Sequence, residues 1–323
     1  MSLLPHERLL VFLQYIGCHP TQSFLSYANK MSETSINSSI NLCREILHEA
    51  MIPQYLHPPT LAQEKEEAAL FAQRYPPRRH ERPNLSRQTT QNARCDFPKI
   101  IIMAVDGTHV NVTVPVADER CQYDNRHHNT SINVLVAVGM TGRFYHCDVD
   151  NTGVVHDAAA FDRSTLKDFR PRTKNGIMIA DTAFKSHLNN MATPFSAAEA
   201  LRDYRKARYN KIFTRKRNMV ERGIGESKSR FSALLQKLRF PDTRDSAKII
   251  QVAIAIHNWI LVNENDTREE KSTSDSDTSD SSASNESDMD ISLMPQRVNN
   301  RNIPTSEKIL NCPSYERYFQ FNR

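Results

Sequence analysis

The chain lacks any apolar run long enough to span a membrane. Its longest unbroken apolar stretch runs only from Ile100 to Val105, whereas a helix needs about 20 such residues to cross a bilayer. Glu7 and Arg8 interrupt the apolar segment near the N-terminus, which argues against a secretory signal. We therefore expect no association with a membrane.

Closely spaced cysteine pairs are also absent. The six cysteines lie far apart, and no C-x-x-C pair occurs. This pattern is typical of reduced thiols in a nuclear or cytosolic protein, and it excludes a dense disulfide framework or a standard zinc finger. Hydrophobic residues at 39% and charged residues at 24% fit an ordinary globular protein.

Charge is distributed unevenly along the chain. The net charge is 42 − 37 = +5, but residues 264–290 hold ten acidic and two basic side chains, or −8. The remainder therefore carries +13, and residues 201–240 hold thirteen Lys or Arg against three acids. A basic body with an acidic tail is typical of a nucleic-acid-binding protein, with a merely soluble surface as the alternative.

Hydrophobic periodicity predicts two structured regions. Residues 5–50 read as three short helices, with Ser32 as the N-cap of the third. They fit a helix-turn-helix module or an ordinary three-helix bundle. From about residue 98, strands come first, then a strand and helices, which indicates a layered α/β or α+β domain. Long helices are predicted at 212–239 and 245–263.

A Ser-rich acidic segment follows these helices. Between Ser272 and Asp290, eight of nineteen residues are Ser and six are acidic. Such a composition cannot bury enough apolar surface to offset the entropy lost on ordering. We therefore expect this segment to be disordered.

Two aspartates follow predicted strands. Asp106 comes directly after the apolar run that ends at Val105, and Asp181 comes after a short predicted strand at 176–180. Each has an ordinary explanation when taken alone: a hairpin turn at Asp106-Gly107, or a helix N-cap at Asp181. If the two strands end side by side, the carboxylates form a site suited to Mg²⁺ or Mn²⁺.

Glu221 is the third acidic candidate. It lies at the edge of the apolar stripe of the predicted long helix, among many basic residues. The alternative is a helix ion pair on the surface. Gly223 and Gly225 follow it, and because each glycine costs about 1 kcal/mol in a helix interior, they predict a close backbone approach beside Glu221.

Six short stretches occur in order between residues 98 and 264. They are Val105-Asp106-Gly107-Thr108-His109; Tyr123-Asp124-Asn125-Arg126 with Ser131-Ile132-Asn133-Val134; His156-Asp157; Ala180-Asp181-Thr182-Ala183-Phe184; Thr214 to Phe231; and Ala255-Ile256-His257-Asn258. In this order they resemble the DDE nuclease domain of PIF/Harbinger-type transposases and their domesticated relatives, and the N-terminal helices resemble the helix-turn-helix region of that family. Gly223-Ile224-Gly225 departs from the family pattern, which usually has an aromatic residue there. The usual Gly-Asp-Ser/Gly-Tyr box of the family reads Ala180-Asp181-Thr182-Ala183-Phe184 in this chain.

The resemblance implies an α/β fold of the RNase H-like type, in which helices flank a mixed sheet. It also implies a DNA endonuclease in which Asp106, Asp181 and Glu221 are catalytic and bind Mg²⁺ or Mn²⁺. Three carboxylates can hold two cations about 3.5–4 Å apart, one to activate water or a 3′-hydroxyl and one to stabilise the leaving oxygen. No covalent nucleophile is needed, in agreement with the absence of a G-x-S-x-G motif.

These observations predict the following organisation. The expected parts are a helical, helix-turn-helix-like region at 1–52, a connector at 53–97, the nuclease domain at 98–264, a disordered acidic segment at 265–300 and a C-terminal tail at 301–323.

DNA is the expected partner. Asn125 and Arg126 are expected to contact its backbone, with turn stabilisation as the alternative. The basic stretch is expected to contact phosphates, with a solvated helix face as the alternative; its candidates are Arg208, Lys211, Arg215, Lys216, Arg217 and Lys228. The resemblance further implies a Myb-like protein partner and a nuclear location, with the cytoplasm as a second location. Assembly into a homo-oligomer is left open.

A catalytically silent, domesticated transposase that only binds DNA or a protein is the competing hypothesis. It rests on the departure at Gly223-Ile224-Gly225 and on the acidic tail. A further hypothesis is that the tail folds over the basic stretch and lowers its affinity for DNA, more strongly when its serines are phosphorylated.

Overall fold

The computed structural model describes residues 3–75, 100–114, 120–125, 128–184 and 191–274. Its helices are α1 (Pro5–Cys18), α2 (Gln22–Asn29), α3 (Glu33–Tyr55), α4 (Leu61–Arg74), α5 (Arg120–Tyr123), α6 (Asp157–Arg163), α7 (Ala197–Arg202), α8 (Tyr204–Arg230) and α9 (Thr243–Ser274). Its strands are β1 (Ile101–Asn111), β2 (Ser131–Val138), β3 (Phe144–Thr152), β4 (Ile177–Ala180) and β5 (Met191–Ala192). Within these ranges, no helix combines the length and the apolar character that crossing a bilayer requires.

A mixed sheet of five strands forms the centre of the described part, in the order β3-β2-β1-β4-β5. Strand β2 pairs antiparallel with both β1 and β3. Strand β4 pairs parallel with both β1 and β5. A mixed sheet flanked by helices is the RNase H-like arrangement, and the predicted fold class is confirmed.

Helices cover both faces of this sheet. Strand β2 is buried at every position, and alternate residues enter different hydrophobic clusters because successive side chains point to opposite faces. Val134 and Val136 join the cluster that includes α8 and α9 residues, whereas Leu135 and Ala137 join the cluster that includes α6. The sheet is therefore the middle of three layers.

The N-terminal helices pack on the same core. Residues of α1 and α3 belong to one hydrophobic cluster with those of α9. Ser32 caps α3 as predicted, since its side chain accepts a hydrogen bond from Ser35 N. The Asn258 side chain on α9 donates to the carbonyl oxygens of Tyr55 (2.6 Å) and Phe144 (2.7 Å). One buried amide thus joins the end of α3 to the start of β3.

The turn between β2 and β3, residues 139–143, is held by a buried carboxylate. Glu67 on α4 accepts hydrogen bonds from Met140 N, from Thr141 N and Oγ1, and from the Tyr145 hydroxyl. Burial raises the pKa of Glu67, and these four donors act in the opposite direction. A Cβ atom at Gly139 would lie 2.3 Å from Glu67 Oε1, so the carboxylate requires glycine there.

Residues at the end of α8 and on α9 also contact this turn. Arg230 Nη1 lies 3.2 Å from His257 Nδ1, and His257 Nε2 lies 3.3 Å from Gly142 O. Because a guanidinium can only donate, Nδ1 accepts and Nε2 carries the proton that is donated to Gly142. Burial, followed by the charge of Arg230, lowers the pKa of His257 to about 3.

Strand β1 does not turn at Asp106-Gly107, so the hairpin explanation of Asp106 is wrong. Asp106 pairs with Val136 and Gly107 with Leu135 in an unbroken antiparallel ladder. The strand continues to Asn111 because β2 supplies hydrogen-bonding partners along the whole stretch.

The two long helices differ in their bounds from the predicted ones. Helix α8 begins earlier than predicted, at Tyr204, where the Asp203 side chain accepts from Arg205 N. It ends at Arg230 because Phe231 adopts an extended backbone, and Leu238 then exchanges backbone hydrogen bonds with Asn111 and Thr113 beside β1. Helix α9 extends to Ser274, into the segment predicted to be disordered; residues 275–323 lie outside the described part.

Candidate metal centre

Asp106 and Asp181 are brought side by side by the parallel pairing of β1 and β4. Val105 is the partner of Ala180 in this register, so the next residue on each chain segment is an aspartate. Neighbouring strands lie about 4.8 Å apart. Two carboxylates separated by 75 positions in the sequence (181 − 106) therefore meet where β4 ends.

Glu221 reaches the same place from α8 through a shared cation. Arg217 Nη1 lies 2.8 Å from Asp106 Oδ2, and Arg217 Nη2 lies 2.5 Å from Glu221 Oε1. Glu221 thus makes the helix ion pair considered above, but the same guanidinium also binds an acid on β1. We call Asp106, Asp181, Glu221 and Arg217 the acid centre.

The electrostatics of Asp106 reflect this crowding. Burial raises the pKa of Asp106 to about 6, and the nearby charges of Asp157 and Asp181 act in the same direction. The charge of Arg217 and the hydrogen bond from Gly107 N (3.0 Å) act in the opposite direction. Several carboxylates around one half-buried position favour a bound cation.

Asp181 is held mainly by its neighbour in the sequence. Its Oδ1 accepts from Thr182 N (2.6 Å) and lies 3.2 Å from Thr182 Oγ1. Both contacts fix the side chain at the end of β4 while leaving it half-exposed. The position is thus open to a ligand approaching from solvent.

Lys228 ties α8 to β1 beside the acid centre. Its Nζ donates to Thr108 Oγ1 (2.8 Å) and to His109 O (3.2 Å). Burial lowers the pKa of this lysine. Lys228 and Arg217 are both predicted as phosphate contacts, and in the structure Arg217 contacts Asp106 whereas Lys228 contacts Thr108 and His109 further along β1.

The other predicted DNA contacts lie further along the helix. Lys216 Nζ lies over the rings of Phe71 (5.1 Å) and Tyr75 (6.0 Å). Lys211 and Arg215 are exposed and Arg208 is half-buried. They form a basic face that leads away from the acid centre.

Asn125 belongs to a loop that it stabilises itself. Its Nδ2 donates to Ser131 Oγ (3.1 Å), and its Oδ1 accepts from Asn129 N (3.3 Å). These bonds favour the turn-stabilising interpretation of Asn125. Arg126 lies outside the described residues.

Gly223 and Gly225 are not equivalent. A Cβ atom at Gly223 would lie 2.6 Å from Val138 Cγ1, so α8 approaches β2 closely there, as predicted. A Cβ atom at Gly225 would meet nothing within 4 Å. The predicted close approach is therefore confirmed for Gly223 and wrong for Gly225.

Asp157 was not among the candidates, yet it lies against β1. A Cβ atom at Gly107 would be 2.1 Å from Asp157 Oδ1, and Asn133 Nδ2 donates to that oxygen (2.9 Å). Asp157 occurs in one of the six quoted stretches, which was the available signal. It approaches the sheet face opposite to the Asp106 side chain, because Gly107 and Asp106 point to different faces.

As they stand, no three His, Cys, Asp or Glu side chains in the described ranges form a geometry that would hold a metal ion. At the acid centre, a guanidinium lies between two of the carboxylates.

Comparison with known families agrees with the fold. Residues 105–258 match the family model described as DDE superfamily endonuclease. The matched stretch contains all three acids and ends at Asn258. Searches of curated proteins and of solved structures gave no significant match. The fold and the matched stretch are thus both similar to those of DDE endonucleases.

Proposed function

We propose that this protein is a divalent-metal-dependent DNA endonuclease derived from a PIF/Harbinger-type transposase. One observation carries the proposal: Asp106, Asp181 and Glu221 converge from two strands and a helix within the stretch that matches DDE endonucleases. The fold alone would not support a function, because similar folds host different activities.

The donor atoms of the three acids suit a hard cation. Asp106, Asp181 and Glu221 offer only carboxylate oxygens, the donors preferred by Mg²⁺ and Mn²⁺. A bound pair of cations would supply an activated water or 3′-hydroxyl and stabilise the leaving 3′-oxygen. The chain's own part is to hold the half-buried Asp106 and Asp181 beside the exposed Glu221, with Asp106 ionised.

The basic face of α8 supports DNA as the substrate. Lys211 and Arg215 are exposed on the helix that carries Glu221, and they offer positive charge to phosphates. Such contacts fix position without reading sequence. DNA as substrate accords with a nuclear location, and the resemblance extends the proposal to a Myb-like partner. Co-precipitation of that partner from nuclear extract is the direct check.

Nicking of supercoiled plasmid by the purified full chain tests the enzymatic proposal. We expect nicking with Mg²⁺ or Mn²⁺, none with a chelator, and a loss of at least about a thousandfold in Asp106→Asn, Asp181→Asn or Glu221→Gln. Asp150→Asn, at an exposed acid on β3, is the matched control and should retain activity. Nicking that survives the three substitutions would show that a contaminant or another site is responsible.

The second candidate is a catalytically silent DNA-binding factor. The favouring observation is that Arg217 already neutralises two of the three acids. If this candidate is correct, DNA binding in a mobility-shift assay is the same with and without chelator, and the three substitutions leave that binding unchanged. No metal then supports nicking.

A further inference from the structure

The acid centre contains a cation supplied by the chain itself. Arg217 binds Asp106 Oδ2 at 2.8 Å and Glu221 Oε1 at 2.5 Å, with one nitrogen for each carboxylate. Charge-assisted hydrogen bonds of this kind are among the stronger ones in proteins, and the planar guanidinium suits two acceptors at once.

Arg217 is also placed differently from the other bases of α8. About 20% of its side chain is exposed, as is about 19% of Asp106, whereas Lys211 and Arg215 are exposed. The guanidinium points towards β1, 111 positions away in the sequence. This orientation fits a partner of the acids better than the phosphate contact predicted from sequence.

The negative charges around Arg217 explain why the metal-free protein needs a positive charge at this position. The charges of Asp157 and Asp181 both act on Asp106, and Glu221 is held through the same guanidinium. Carboxylates this close repel one another unless a positive charge lies between them. Arg217 supplies that charge in the metal-free protein.

We propose that Arg217 is a positioning residue that holds Asp106 and Glu221 in place in the metal-free protein and is displaced from them when divalent cations bind. The inference rests on the proposed function, because it assumes that these acids are metal ligands. Since both ion pairs must break, the protein binds metal more weakly than its three carboxylates alone would. The displaced guanidinium then lies beside the site, where a phosphate can accept its hydrogen bonds.

Mn²⁺ binding by the full chain without DNA, followed by calorimetry, tests this inference. Arg217→Gln should bind Mn²⁺ about tenfold more tightly than the wild type, because the competing ion pairs are gone. Arg217→Lys keeps the charge but cannot bridge two carboxylates, so its affinity should lie between these two. Arg222→Gln is the matched control: it removes the same charge next to Glu221, from a side chain that donates to Met140 O. It should change affinity by less than about twofold.

Thermal unfolding gives a second readout. Without metal, Arg217→Gln should melt below the wild type because Asp106 and Glu221 lose their counter-charge. Added Mn²⁺ should then raise its melting temperature by more than that of the wild type. A purely structural arginine would lower both melting temperatures without this larger response to metal.

The outcomes separate this inference from the proposed function. Equal or weaker Mn²⁺ binding by Arg217→Gln overturns the inference while leaving the metal site intact, and so does equal tightening by Arg222→Gln. Absence of Mn²⁺ binding by all variants overturns both. Binding by Arg217→Gln but not by the wild type supports the inference most strongly. If Arg217→Gln does not fold, Arg217→Lys decides: tighter binding than the wild type supports the inference, and equal or weaker binding overturns it.

Discussion

The acidic side chain at the turn between β2 and β3 and those at the acid centre are held differently. At the turn between β2 and β3, Glu67 accepts from two backbone N–H groups and two hydroxyls. At the acid centre, Asp106 and Glu221 share one guanidinium, and Asp181 bonds mainly to Thr182. Burial of a carboxylate is therefore no mark of function. An acid surrounded by neutral donors stabilises the fold, whereas acids that share a counter-charge can exchange it for a metal.

The largest expected change in the free energy of unfolding is at the turn between β2 and β3. Glu67→Ala leaves four donors without their acceptor and should lower the free energy of unfolding by about 3 kcal/mol or more. Glu66→Ala, at the exposed neighbouring position, should stay within about 0.5 kcal/mol of the wild type. Urea unfolding followed by circular dichroism measures both. If both substitutions lower the free energy of unfolding equally, the loss comes from a change in helix α4 and not from the Glu67 carboxylate.

The next largest changes in stability are expected at the two glycines that follow Glu221. Gly223→Ala pushes a methyl group into Val138 and should destabilise by about 1–3 kcal/mol. Gly225→Ala enters open space and should stabilise by about 0.5–1 kcal/mol, because alanine is the better helix former. Thermal melts of the pair measure this difference. Destabilisation by both substitutions would contradict the open space beside Gly225.

His257 makes the turn sensitive to acid. Its pKa is lowered to about 3 in the folded chain and is about 6.5 in the unfolded chain, so the unfolded state binds a proton first. The stabilisation is full above about pH 6.5 and is lost as pH falls towards the folded value. Between about pH 7 and about pH 5, the stability advantage of the wild type over His257→Gln should shrink by about 2 kcal/mol.

The wild type must be compared with His257→Gln because other groups titrate in the same pH range. Burial lowers the pKa of His146 to about 4 and raises that of Asp106 to about 6, and these shifts have opposite effects on stability. Both groups are present in both proteins, so their contributions cancel in the difference. His6→Gln, at an exposed position, should leave the pH dependence unchanged. A constant gap between the wild type and His257→Gln would contradict the assignment.

The smallest expected effect is at the acid centre. Asp181→Asn keeps an oxygen that can accept from Thr182, so the metal-free protein should keep its free energy of unfolding within about 0.5 kcal/mol. Urea unfolding in chelator measures it. A loss comparable with that of Glu67→Ala would remove the distinction between structural acids and the acids of the candidate site.

Much of the architecture follows from periodic patterns in the chain. The short apolar stretch at 176–180 predicted β4, and Ser32 marked the start of α3. The bounds of α8 could not be predicted in this way. Its sequence stays helical in pattern past Arg230, and only the pairing of Leu238 with residues beside β1 shows why the helix stops.

The side chains of the candidate site were partly predictable for a related reason. Asp106 and Asp181 follow apolar stretches, and this local signal needs no tertiary contact. The bridging position of Arg217 depends on how α8 faces β1, and a spacing pattern does not contain that information. Glu67 was missed because helix α4 is rich in charge and looked like a surface connector, whereas its buried side faces a turn more than 70 positions away.

The amide of Asn258 has a mechanical consequence. It bonds to the last residue of α3 and to the first residue of β3, so a polar link joins the amino-terminal helices to the sheet in addition to their shared hydrophobic cluster. Asn258→Ala removes the donor that both carbonyl oxygens share and should lower the free energy of unfolding of the helices and the sheet together.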